Sequence, residues 1–356
     1  MESLVDAYKG KKVLVTGNTG FKGSWLTSWL RQMGADVTGY SSEIPTQPSH
    51  HELLSLDIET HLEDIRDVEK LSKVLHTLRP DIVFHMAAQP LVRRSYSQPM
   101  ETFEINVMGT AGLLQGCRGV EELRGVVVVT TDKCYENREW VHGYRENDPL
   151  GGYDPYSASK AAAEIVTSSY RQSFFNPAEY GVRHQTLIAT ARAGNVVGGG
   201  DWSEDRLIPD IIRSTLENQK VILRNPEATR PWQHVLEPLS GYLMLGQKLM
   251  EGQIGFADAW NFGPRLESNR SVQDTVSTVR KYWNRVEYET LEKKGSAFHE
   301  AGLLMLDSSK AHHKLGWTQK WSFEETLAKT IGWYRSYYEE KRILTEKQIG
   351  EYCGSV

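Results

Sequence analysis

Cysteine is scarce in this chain of 356 residues, with only Cys117, Cys134 and Cys353, and none of them shares a CxxC spacing. Neither a disulfide framework nor a zinc site follows from such scatter. Long apolar runs are missing too. No stretch approaches the roughly 18 consecutive apolar residues that a membrane span needs, and the opening MESLVDAYKGKK lacks the apolar centre of a secretion signal, so a cytoplasmic protein is expected. No block of Lys and Arg stands out against a formal charge of -5, which argues against nucleic acid or an anionic membrane surface as a general partner. The paired histidines His50-His51 and His312-His313 are adjacent rather than one helical turn apart, so packing or surface roles are expected and no metal. Repeats and low-complexity tracts are absent as well.

What remains is ordinary globular composition, 39% apolar and 24% charged, enough for a substantial core. Through the first half, apolar strand-length runs (KKVLVTG, ADVTGY, DIVFHMA, GVVVVTT, QTLIATA) alternate with helix-period segments. That alternation predicts an α/β fold, a Rossmann-type doubly wound parallel sheet with right-handed crossovers. After Arg192 the pattern loosens into the glycine-rich GNVVGGGDW and proline-punctuated segments, then returns with a helix near Glu237–Met250 and the strand AWNFG. The expected division is a dinucleotide-binding domain over 1–195 with returning segments about 231–264, and a smaller, discontinuous C-terminal substrate domain over 196–230 and 265–356.

Gly17, Gly20 and Gly23 form GNTGFKG between the first strand and the first helix, where a dinucleotide pyrophosphate rests on a helix N-terminus and side chains would block its approach. The spacing is GxxGxxG rather than GxGxxG. The second strand ends Gly39-Tyr40-Ser41-Ser42, with neither the acid that binds a ribose 2′-OH nor an arginine for a 2′-phosphate. The lack of positive charge favours NAD over its phosphorylated relative. Asp64-Ile65 lies past another possible strand end and reads either as an adenine contact or as a solvated loop acid.

Tyr-x-x-x-Lys occurs at Tyr8/Lys12, Tyr156/Lys160 and Tyr337/Lys341, and only the middle pair follows the fourth or fifth strand of a dinucleotide fold. On one helix face the ammonium is expected to lower the phenol from its usual value of about 10, making it a general base. The preceding strand supplies Thr130 and Thr131 as the partner hydroxyl, with Thr131 the better placed.

Taken together, GNTGFKG, TTDK (130–133) and YSASK (156–160) resemble the extended short-chain dehydrogenase/reductases that act on nucleotide sugars. HMAAQ (85–89), Asn106 in INVMGT, RAGNVVGGGD (192–201), RLIP (206–209), RPWQHV (230–235) and NFGP (261–264) extend the likeness over nearly the whole chain. Thr131-Asp132-Lys133 resembles the Thr-Asp-Glu triplet of the 4,6-dehydratases, and with FKGSWL and AAQPLVRRSY the chain is most similar to the branch acting on CDP-glucose.

The resemblance implies a lyase in which Tyr156 takes the sugar 4-OH proton, Thr131 bonds the same oxygen and Lys160 holds the nicotinamide ribose. Asp132 then serves as the acid for water loss, and Lys133 either abstracts the C5 proton or stabilises the enolate. Further implied NAD contacts are Phe21, Ser41, Asp64, Ile65, Ala87, Ala88, Gln89 and Asn106. Implied substrate contacts are Leu91, Val92, Asn195, Arg206, Leu207, Arg230 and His299, with Glu300 beside the last. A homodimer or tetramer pairing helices near Glu101–Cys117 and Pro155–Phe174 is implied, as is a product destined for 3,6-dideoxyhexoses of bacterial surface polysaccharide. An epimerase or reductase of the same fold needs no Asp-Lys pair, and a dinucleotide-binding regulator would need no intact Tyr-Lys-Thr set.

Overall fold

The computed structural model describes residues 2–223, 225–290 and 303–354. Its centre is a seven-stranded sheet, every neighbouring pair parallel, built from β1 (Lys12–Thr16), β2 (Asp36–Ser41), β3 (Glu59–Leu62), β4 (Ile82–His85), β5 (Gly125–Val129), β6 (Leu187–Ala193) and β7 (Ala259–Phe262). The spatial order is β7-β6-β5-β4-β1-β2-β3. The chain therefore winds outward from β1 in one direction and then, from β4, in the other. That reversal leaves a crevice at the C-terminal ends of β1 and β4, the place where ligands settle in open parallel sheets.

The strands are continuous apolar runs because both faces are covered. Along each strand the side chains alternate between two cores. Val13, Val15, Phe84, Val127, Val129, Ala189 and Ala191 belong to one, and Leu14, Val83, Val126, Val128 and Ile188 to the other. On the first face lie α1 (Phe21–Gln32), which buries Trp25, Leu26, Trp29 and Leu30, and a later helix, Leu236–Met250, packed on β5 and β6. On the second lie α2 (Val68–Leu78) and α3 (Gly109–Gly116), which press together where a Cβ at Gly112 would fall 2.7 Å from Val68.

The longest helix, α4 (Pro155–Ser173), begins where its sequence dictates. Asp154 accepts from the Ser157 amide at 2.9 Å and from its hydroxyl at 2.6 Å, and Pro155 fills the first turn, where no backbone N–H is needed. Beyond the sheet, three small strand pairs link Val196–Val197 with Gln233–His234, Thr229–Pro231 with Asn269–Ser271, and Val221–Leu223 with Tyr288–Thr290. Helix α1 starts at Phe21 because the glycine loop runs straight into it, so that Gly23 is already helical.

Candidate active site

The glycine loop is set by backbone crowding. Gly17 has φ +74°, and a Cβ there would lie 2.7 Å from the Ala87 amide nitrogen, while one at Gly23 would fall 2.0 Å from the Gly17 carbonyl oxygen. Both positions exclude any side chain. Gly20 differs: its nearest neighbour is the Gly17 oxygen at 3.4 Å, and as N-cap of α1 it leaves the helix without a side-chain cap. An uncapped helix start facing the crevice offers amides and a partial positive charge to an anion, so the residues present fit a dinucleotide pyrophosphate.

Around this loop the sequence-expected contacts divide. Ser41 is buried and donates to Asn18 Oδ1 at 2.7 Å, bracing the loop. Asn106 accepts from the Gln89 amide at 2.8 Å and donates to the Gln89 carbonyl at 3.1 Å and to Ser159 Oγ at 2.8 Å. Its side chain is thereby spent on fastening the Ala87–Ala88–Gln89 loop to α4. Ala87 and Ala88 stay partly exposed at the end of β4, whereas Gln89 is buried and bonded to Thr102. Ile65 is a core residue packed against Gly109. Asp64 is drawn into a bidentate pair with Arg66 at 3.0 and 2.6 Å, which holds its carboxyl below the usual value.

At the end of β5 the two threonines separate. Thr130 donates to the buried Glu164, while Thr131 donates to Asp132 Oδ1 at 2.9 Å and caps the short turn Asp132–Cys134. The Asp132 side chain is 2% exposed and that of Lys133 32%, with Nζ 3.6 Å from Oδ1. Lys133 thus reaches outward while Asp132 lies inside, against Gly194, where a Cβ would meet the carboxylate at 3.0 Å. Tyr156 and Lys160 project from the first turns of α4, both buried.

The phenol departs from expectation. Burial pushes Tyr156 up to about 12, against a hydrogen bond with Thr131 and the charge of Arg206, which pull it down. Lys160 donates to the Val129 carbonyl at 3.2 Å and is itself lowered to about 8 by burial, with Glu164 opposing. Spacing alone implied a lowered phenol. The loss of solvation, with the charges of Asp132 and Asp154, outweighs the Thr131 hydrogen bond and Arg206.

Glu164 and Arg192 were not singled out by sequence. Arg192 Nη2 pairs with Glu164 Oε2 at 2.8 Å, Thr190 donates to the same carboxylate at 2.7 Å, and Arg192 Nη1 donates to the Tyr135 hydroxyl at 2.6 Å. Burial would raise Glu164, but Arg192 and the three hydroxyl and guanidinium donors hold it below its usual value. Glu164 follows Lys160 by one helical turn, the one local signal that marked it.

The implied substrate residues lie toward the small strand pairs. Arg206 caps helix Leu207–Leu216 in sequence and pairs with Asp201 at 2.8 Å, close enough to Tyr156 for their charges to interact. Leu207 packs against the core, and Arg230 donates to the Thr229 carbonyl at 2.8 Å. Leu91 precedes the short helix Val92–Ser97 and donates its amide to Gln89 Oε1 at 2.6 Å, and Val92 and Asn195 are partly exposed. His299 and Glu300 lie outside the described residues. Of the other two Tyr-x-x-x-Lys pairs, Tyr8 is a core residue donating to the Leu243 carbonyl at 2.8 Å. His50 bridges Ser24 and Thr345 inside the fold, a packing role.

Residues 14–330 match the family described as GDP-mannose 4,6 dehydratase. The chain belongs to that family. It is 51% identical over 352 residues to a CDP-glucose 4,6-dehydratase of Salmonella typhimurium, covering 98% of both chains. It is 28% identical over 288 residues, 76% of this chain and 62% of the other, to a dTDP-D-glucose 4,6-dehydratase of Dictyostelium discoideum. Among solved structures, an epimerase of Methanothermobacter thermautotrophicus superposes with a TM-score of 0.81 at 23% identity, covering 97% of each chain, which establishes the extended Rossmann-type fold. MoeE5, in complex with UDP-glucose and NAD, superposes with a TM-score of 0.74 at 26% identity, covering 91% of this chain and 98% of that one. The protein is thus an enzyme of the nucleotide-sugar 4,6-dehydratase family. Among the described residues no helix is long and apolar enough to cross a membrane.

Proposed function

We propose that this protein is a CDP-glucose 4,6-dehydratase that works with NAD held on the Gly17–Gly23 loop. The observation that carries this reading is the buried Asp132 beside the outward Lys133, hydrogen-bonded to Thr131, which in turn bonds Tyr156, in a chain 51% identical over 352 residues to an enzyme of that name. The chemistry supplied by bound NAD is temporary storage of a hydride, taken from C4 of the sugar and given back at C6.

Tyr156 receives the C4 hydroxyl proton while Thr131 orients the same oxygen, and a 4-ketone results. A ketone acidifies the neighbouring C5–H. Lys133, on the open side of the turn, takes that proton or stabilises the enolate. Asp132 then protonates the C6 hydroxyl, which departs as water. The same groups return a proton to C5, leaving a CDP-4-keto-6-deoxyglucose and one water. Since burial holds the Tyr156 phenol high, its service as a base depends on further positive charge brought with the ligands.

Arg206 and Arg230 are the planar, fork-shaped cations suited to the sugar's pyrophosphate. With Asn195 and Leu207 they lie in or beside 196–230, the segment assigned here with 265–356 to the substrate part; Leu91 and Val92 approach the hexose. Met108 and Ile165, 62% and 59% exposed on the segment leading into α3 and on α4, support a dimer through these helices. Sedimentation as a monomer at assay concentration would count against that pairing.

Incubating the protein with CDP-, dTDP-, UDP- and GDP-glucose tests the assignment. A 4-keto-6-deoxy product formed preferentially from CDP-glucose is expected. A C4 epimer, or a stoichiometric change in the cofactor with no such product, would replace the dehydratase by an epimerase or a reductase.

A further inference from the structure

The cycle above leaves one cation of the glycine loop without a task. Lys22 lies between Gly20 and Gly23 in the first turn of α1 and is partly buried. Its Nζ stands 5.9 Å from the ring centroid of Tyr242. The charges that reach it come from three elements: Arg206 before α5 (we so label Leu207–Leu216), Lys160 on α4, and Asp132 with Lys133 in the turn after β5. Three of these four are cations, and none of the described carboxylates forms an ion pair with Lys22. The partial positive charge of the helix start adds to them. Such a position is a poor one for an ammonium until negative charge arrives.

We propose that Lys22 is a cofactor-binding residue that takes up a proton as the dinucleotide pyrophosphate settles on its loop, so that cofactor affinity is coupled to pH. The proposal rests on the reading that this loop holds NAD. Burial first, then the charges of Arg206, Lys160 and Lys133, lower Lys22 to about 7 in the ligand-free protein, with Asp132 opposing. An anion beside the loop raises it again. The protonated form is therefore the tighter binder: affinity is fullest below about pH 7 and falls as pH rises from there toward the value in the complex, by up to about tenfold per pH unit. Lys160, lowered to about 8, contributes its own proton at higher pH, so the difference between wild type and a Lys22 variant is the quantity to read.

The test is calorimetric titration of NAD into the full-length, nucleotide-stripped protein at pH 7, in buffers of different ionisation heat, with dissociation constants followed from pH 6.5 to 8.5. Wild type should take up a fraction of a proton per NAD that grows as pH rises through the lowered Lys22 value. Lys22→Met should lose that uptake and bind about ten- to a hundredfold more weakly at pH 6.5, a loss of the size expected for one charge-assisted contact. Lys22→Arg, which keeps its charge throughout, should bind with little pH dependence. Wild-type binding without proton uptake, a Lys22→Met protein with undiminished uptake, or tighter binding by that variant at pH 6.5 would each overturn the proposal while leaving the cofactor reading intact. No NAD binding by wild type would remove both. Should Lys22→Met fail to fold, a Lys22→Arg protein with the wild-type pH slope overturns it as well.

Discussion

Two acid–cation pairs are joined to the end of β5 through the neighbouring Thr130 and Thr131, and they are built in opposite ways. Glu164 and Arg192 are both sealed, their side chains 3% exposed, with the carboxylate filled by Arg192, Thr130 and Thr190. Asp132 and Lys133 are held more loosely, 3.6 Å apart, one inside and one a third exposed, on a three-residue turn. The sealed carboxylate takes three donors and is closed off from any reactant, whereas Asp132 accepts from Thr131 beside a half-open lysine. A buried ion pair enclosed on every side holds geometry, whereas a pair that is half open at a crevice can exchange protons.

Breaking the sealed pair should have the largest effect on folding. Arg192→Met strands the Glu164 charge and should cost about 3–5 kcal/mol of stability, read as a large drop in melting temperature with or without ligand. A change below about 1 kcal/mol would mean that Glu164 accepts a proton at no cost and that the contrast is false. Tyr156→Phe should instead leave melting almost untouched and lower turnover by about 10²- to 10⁴-fold. Lys133→Met sharpens the open pair: loss of deuterium exchange from solvent into C5, with C4 oxidation retained, assigns the proton abstraction, and unchanged exchange leaves Lys133 as a stabiliser of the enolate.

A further contrast concerns acid. His50, His85 and His234 are sealed like Glu164 and are pushed by burial down to about 3. Their folded values lie below the unfolded value of about 6.5, so the unfolded chain binds the extra protons. Their stabilising contribution is complete above pH 6.5 and is lost progressively as pH falls from there toward 3. Denaturant melts at pH 7, 5.5 and 4.5 should show that loss, reduced in a His85→Gln variant. The smallest effect is expected at the surface, where Asp64→Asn should cost about 1 kcal/mol or less because Arg66 and Asp64 are each more than a third exposed.

The readable parts of the site were those written in adjacent residues. Gly17 and Gly23 are forced by backbone that crosses within the same loop or after the neighbouring β4, Gly20 leaves the helix start open, and Tyr156 with Lys160 follows from one helical turn. The choice between Thr130 and Thr131 was also legible, since neighbouring strand residues face opposite sides. The sealed partner of Thr130 was less so, because Arg192 arrives from a strand 28 residues beyond Glu164. The phenol was misjudged because spacing counts charges and not the water removed around them. Asp64 was read either as an adenine contact or as a solvated loop acid, and Arg66, two residues on, pairs with it at the surface. Ser41 and Asn106 fall between these cases: their places beside the loop were expected, but their hydrogen bonds go to the protein.

The parting of Thr130 and Thr131 has a consequence for how this chain can vary. One hydroxyl points into the scaffold and its neighbour into the chemistry, and what decides which is which is the pairing of Val128 with Thr190 and Val129 with Ala191. The reactive group is thus indexed to the sheet rather than to a pocket wall. A single inserted or deleted residue within β5 would exchange the two threonines, presenting the crevice with the wrong hydroxyl and turning the acid that follows away from Tyr156. Sequence drift in this strand can proceed by substitution but not by slippage.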